Sequence, residues 1–191
     1  MMTPARLGEL SAMKAKLAID QREIERIAAG VDEIVAREAG TAGTFAGYVA
    51  VWNEPDLRGE IVARGAFIKS LVAWHDLGKM PPLWVEHGEG EDVGIVYDPL
   101  AHLPVGEIMS LTEDHKGLRI EARLFDLNNE LGRIARRRVA SREFGFSYGA
   151  TIRQRCPTSG ARTEVSIREI SIVTNPAQPE ARIDFWEPSG V

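Results

Sequence analysis

Three residues of this sequence carry side chains from which an acyl-transfer site could be assembled: Ser147, His87 and Glu169. A serine hydroxyl is a weak nucleophile until an adjacent imidazole takes its proton and a third polar group fixes that ring. Ser147 lies in Phe144-Gly145-Phe146-Ser147-Tyr148-Gly149. The flanking glycines would let a substrate backbone come close and could free amide donors for an oxyanion. His87 follows the apolar run Leu83-Trp84-Val85 and stands between Glu86 and Gly88. Glu169 belongs to a β-rich run in which Val165, Ile167 and Glu169 are expected to share one face, so its carboxylate should point inward. Each residue taken singly also has an ordinary reading. The serine can be a plain strand residue between aromatics, the histidine a surface residue, and the glutamate a solvent-facing partner of an arginine. Spacing alone does not join the three. His75, His87 and His102, with Glu86 and Asp76, show no HxxxH or HxH pattern, so no metal site is expected.

The elements that would have to position these groups are visible in the patterning. The chain has 191 residues, 44% hydrophobic and 27% charged, the balance of a globular protein large enough to bury a core. Its net charge of −5 argues against a nucleic-acid coat, which needs positive charge to displace counterions. The one cysteine, Cys156, excludes an internal disulfide. No apolar run reaches the length of a membrane span, and the N-terminus shows no continuous signal-type apolar stretch. Residues 1–40 form a first zone, with apolar positions at Leu10, Met13, Leu17, Ile24, Ile27, Val31 and Ile34. That 3.5-residue spacing predicts an amphipathic helix with a coiled-coil seam, followed by a hinge at Ala39–Gly43.

From Thr44 onward the texture is that of short strands and turns. Strands are expected at 45–52, 83–87, 93–97, 105–111, 118–125, 144–153 and 165–174. Helices are expected over 66–76 and from Asp126, as the cap, to about Ser141. The arginines at 133, 136, 137, 138 and 142 read as the solvated face of the second helix rather than a nucleic-acid patch. Mainly β structure with peripheral α-helices is the expected body over 44–191.

From Phe45 to Ile183 the order of motifs resembles the phage prohead (procapsid) maturation proteases, serine endopeptidases distantly related in fold to the herpesvirus assemblins. The resemblance runs through Phe45-Ala46-Gly47-Tyr48, Gly59-Glu60-Ile61-Val62, Gly65-Ala66-Phe67, Pro82-Leu83-Trp84 leading to His87, and Gly117-Leu118. It continues through Gly145-Phe146-Ser147-Tyr148-Gly149 and Glu169-Ile170-Ser171-Ile172-Val173-Thr174, running into Pro176-Ala177-Gln178-Pro179-Glu180-Ala181. It implies an assemblin-like antiparallel β-barrel with Ser147 as nucleophile, His87 as general base and Glu169 as third member. Glu164 is the fallback for that third place. Gly149 and Ala177 mark the expected oxyanion region, and no cofactor is implied. Residues 88–103 form an extra segment relative to the family pattern, which makes His102 a rival base. The implied activity is removal of the scaffolding segment of the major capsid protein, with self-processing, inside the assembling procapsid in the host bacterial cytoplasm. The implied partners are that capsid protein and its scaffold segment. The seam of residues 1–40 adds self-association through the N-terminal helix as an expectation, and from composition neither a membrane nor a nucleic acid is an expected partner. The competing reading is a non-catalytic capsid assembly or scaffold-binding protein on a protease fold.

Overall fold

The clearest period of two in the sequence becomes an interior strand of a curled sheet. In Gly117–Phe125 the side chains of Leu118, Ile120 and Ala122 are fully buried, while Arg119, Glu121 and Arg123 face outward. The computed structural model describes residues 41–88 and 103–189. The helix expected over 1–40, the strand at 93–97 and His102 lie outside the described residues.

The described strands are β1 (Thr41–Val51), β2 (Leu83–Val85), β3 (Gly106–Glu113), β4 (Gly117–Phe125), β5 (Gly145–Arg155), β6 (Arg162–Val173) and β7 (Ile183–Pro188). Two helices join them, α1 (Ile68–Asp76) and α2 (Glu130–Ser141). One sheet takes all seven strands in the order β5-β6-β2-β3-β4-β1-β7. The sheet curls until the residues before β7 meet the start of β5, where the Phe146 N–H donates to the Ala181 carbonyl at 2.9 Å. Inside the curve Phe45 stacks on Phe146 at 6.0 Å, and Phe67 meets Tyr148 edge-on at 5.4 Å.

Mainly β structure with peripheral helices is what the sequence predicts, and several details differ. The pairing is not antiparallel throughout, because β2 runs parallel to β6. Residues 41–43 are the first part of β1 rather than a hinge. Gly43 has φ +145, and a Cβ there would lie 2.5 Å from the Glu187 carbonyl oxygen and 2.6 Å from the Trp186 ring. The glycine therefore serves the close approach of β7, not flexibility. β7 itself was not expected; six residues beside a Pro-rich turn are too few to show a period. The second helix begins later than its Asp126 signal. Asn129 is the cap, its Oδ1 accepting from the Gly132 N–H at 2.9 Å, while Asp126 pairs with Arg136 at 2.5 Å. Among the described residues no helix is long and apolar enough to cross a membrane.

Candidate active site

The site is built on the outer face of the β5–β6 pair, and a one-residue irregularity in β6 creates that face. Phe146↔Ile172 and Tyr148↔Ile170 are cross-strand pairs pointing into the core, as do Ile152↔Val165 and Ala150↔Ile167. Between Gly149↔Glu169 and Ala150↔Ile167 the register shifts, leaving Arg168 as the extra residue. The extra residue changes the phase of the strand. Val165 and Ile167 face the core as expected, but Glu169 does not share their face. It turns to the opposite side with Ser171, opposite Gly149 and Ser147. Glu169 is nonetheless 5% exposed and Ser171 is fully covered.

What covers them is the turn after β2. The parallel register Leu83↔Ile170, Trp84↔Ser171, Val85↔Ile172 would carry an extended chain past the end of β6. Instead Glu86, His87 and Gly88 take left-handed conformations, with φ of 46, 56 and 72. For the two non-glycine residues this costs on the order of 1 kcal/mol each, so the surroundings must hold it. The turn folds His87 back over β6. Its ring Nδ1 stands 2.7 Å from Glu169 Oε1, and its backbone N–H donates to Ser171 Oγ at 3.1 Å. With the Glu169 carboxylate accepting, Nδ1 is the ring nitrogen that donates in this contact. Ser147 is the direct cross-strand partner of Ser171 and is half-buried. Directly opposed residues place their Cβ atoms about 4.5–5.5 Å apart on one face. A serine, a histidine and a glutamate far apart in sequence thus share one patch.

A family model described as "Caudovirus prohead serine protease" matches residues 32–189. The chain belongs to that family. A prohead protease of Enterobacteria phage HK97 is 28% identical over 149 residues, covering 75% of this chain. The chain spans about 60% of the length of that curated relative. Among solved structures, a KSHV protease in complex with a hexapeptide phosphonate inhibitor aligns at a TM-score of 0.45 and 12% identity, covering 76% of this chain and 65% of that one. A varicella-zoster virus protease aligns at 0.40 and 11%, covering 76% and 64%.

In this prohead-protease family member the turn bearing His87 is also gripped from the side of α2. Glu86 is buried, and its Oε1 accepts from Arg138 Nη1 and, at 2.7 Å each, from the Thr174 N–H and hydroxyl. Arg138 also reaches the Ile172 carbonyl at 3.4 Å and lies over the Phe144 ring. One member of the arginine run is therefore buried rather than solvated. Arg133 and Arg136 do stay at the surface, on Glu130 and Asp126, whereas Arg138 falls on the buried stripe of α2 with Leu131, Ala135 and Val139. Removing one partner of a buried pair strands the other. Arg138→Met should cost about 3 kcal/mol, the lower part of the usual range because Glu86 keeps two donors. Urea titration would measure it, and Glu86→Gln in the same chain should recover part of the loss. A single mutant within 1 kcal/mol of wild type would show that the pair does not hold the turn.

The other expected residues are placed as follows. Glu164, the fallback third member, is engaged elsewhere: Lys69 of α1 holds its Oε2 at 2.6 Å. Gly149 stands opposite Glu169, and a Cβ there would lie 2.4 Å from Glu169 Oε1. That glycine is needed for the room it leaves the carboxylate. Ala177 sits in the segment after β6, where its carbonyl accepts the Leu57 N–H at 2.8 Å. The same segment is pinned by Gln178, whose side chain accepts from the Val51 N–H at 2.6 Å and donates to the carbonyls of Val51 and Glu54. On the core side of β5, burial with nearby Asp56 pushes the Tyr148 phenol well above its ordinary pKa, and the hydroxyl accepts from Arg162 Nη1 at 3.0 Å. This anchors the strand directly beneath Ser147. Sequence reasoning missed Ser171, Glu86, Arg138 and Thr174. Only Ser171 carried a usable signal, being two residues from Glu169 in a strand.

Proposed function

We propose that this chain is the serine endopeptidase of procapsid maturation, cutting the scaffolding segment from the major capsid protein and processing itself inside the assembling procapsid. The observation that carries the reading is the 2.7 Å contact of His87 Nδ1 with a buried Glu169, on the face where Ser147 stands one strand away. In this mechanism Ser147 Oγ attacks the scissile carbonyl while His87 Nε2 takes its proton. The imidazolium, stabilised by Glu169, returns that proton to the leaving amine as the acyl-enzyme forms. Water then repeats the sequence with the roles of attacking and leaving groups exchanged, freeing Ser147. Amides near Gly149 and Ala177 are the proposed donors to the oxyanion. No cofactor enters any step.

The test is co-expression of the chain with its cognate major capsid protein, followed by intact-mass analysis. Loss of the scaffold segment supports the reading. A capsid protein of unchanged mass beside folded protein would favour the non-catalytic assembly role instead. Within the mechanism Glu169 orients and stabilises rather than reacts. Glu169→Gln should keep the fold yet lower kcat by about four orders of magnitude, since an amide can stabilise the wrong tautomer. Single-turnover cleavage of a capsid-derived peptide would measure it, and a loss of under tenfold would remove Glu169 from the third place.

A further inference from the structure

The hydrogen bonds around Glu169 close on themselves. The His87 backbone N–H donates to Ser171 Oγ at 3.1 Å, and the Ser171 hydroxyl donates to Glu169 Oε2 at 2.6 Å. The other carboxylate oxygen, Oε1, receives the His87 ring at 2.7 Å. Starting at the backbone of His87, the path passes through Ser171 and both oxygens of Glu169 and returns to the ring of the same histidine. We propose that Ser171 is a positioning residue of the proteolytic site: it locks the rotation of the His87 imidazole relative to its own backbone and holds the Glu169 carboxylate to that ring. The inference rests on the Ser147–His87–Glu169 reading above and adds a fourth residue to it.

Three observations carry it. Ser171 is fully buried, so no water can take over either bond when its hydroxyl is lost. Its donor and acceptor capacity is committed in one direction: the single O–H goes to Glu169, and the lone pairs receive His87. Chains of this kind polarise each member, so the N–H to Ser171 strengthens the O–H to the carboxylate. The backbone it holds is left-handed at a non-glycine residue, a conformation that relaxes unless pinned. The Glu86–Arg138 pair faces Thr174 rather than Glu169, Glu164 is held by Lys69, and Arg168, next to Glu169 on β6, is exposed. No described cation competes with Ser171 for Glu169 Oε2.

The experiment compares wild type, Ser171→Ala and Ser171→Cys in full-length protein, with Ser147→Ala as reference, on a capsid-derived peptide. Thermal melting establishes which variants are folded. Ser171→Ala is expected to lower kcat about 10- to 100-fold, the effect of losing a buried hydrogen bond to a charged group. KM should stay within about twofold, because Ser171 touches no substrate. A low-field proton resonance of the His87 ring is expected in wild type and Ser147→Ala and should broaden or vanish in Ser171→Ala. Ser171→Cys, a weak donor of similar size, should fall between the two, and decides the matter if the alanine variant does not fold. Wild-type kcat with an intact resonance in the folded variants, or a loss confined to KM, would overturn the positioning role. Activity persisting in Ser147→Ala would instead remove the underlying catalytic reading, so the two failures are distinguishable.

Discussion

Ser147→Ala is expected to abolish cleavage of the major capsid protein while leaving the protein folded. The size of the effect follows from what the hydroxyl does. If Ser147 Oγ forms the covalent bond to the scissile carbon, its loss leaves only binding and oxyanion stabilisation. The best-studied case of nucleophile removal from a triad loses about 10⁶ in kcat. The fold has no reason to suffer. Ser147 is half-buried on the outer face of β5, and the strand is secured by neighbours that point the other way. Phe146 stacks on Phe45, and Tyr148 meets Phe67 and Arg162. Co-expression with the capsid protein should therefore show full-length product only, with the mutant's melting temperature unchanged. Near-normal processing by the purified mutant would exclude Ser147 as nucleophile.

The strands were legible where a single period survived. Leu118–Leu124 alternates cleanly and forms β4 with its apolar face on the core. The candidate site was legible as a set of residue types but not as a geometry, for two local reasons. The extra residue at Arg168 moves Glu169 off the face of Val165 and Ile167, and no composition rule marks a bulge at an arginine. The strand expected over 83–87 stops at Val85, because Glu86 and His87 adopt positive φ. Left-handed glutamate and histidine are held by long-range partners, Arg138, Thr174 and Ser171, that sequence order does not reveal. The same distance hid Arg138 within an arginine-rich run: periodicity placed the helix, and only packing shows which arginine turns inward.

His87→Ala should be as inactive as the serine mutant, and combining the two should cost nothing further. In the proposed mechanism the two side chains act as one unit. Without the imidazole Ser147 keeps its proton, and without Ser147 the imidazole has no proton to take, so their losses do not add. The alternative base, His102, makes an opposite expectation testable: His102→Ala should keep most activity if His87 is the base. What supports His87 is the company it keeps. Its ring is bound to a carboxylate that is 5% exposed, an arrangement that stabilises the imidazolium formed when the serine proton moves. Stability should respond differently from activity. His87→Ala leaves Glu169 with Ser171 as its remaining described partner and forces an alanine into the left-handed region, so some loss in melting temperature is expected. The two readouts separate the roles. A folded His87→Ala variant with single-turnover cleavage within tenfold of wild type would transfer general-base duty to another group. Activity absent in the His87, Ser147 and double variants alike, with His102→Ala close to wild type, would place the base on the turn between β2 and the face of β6.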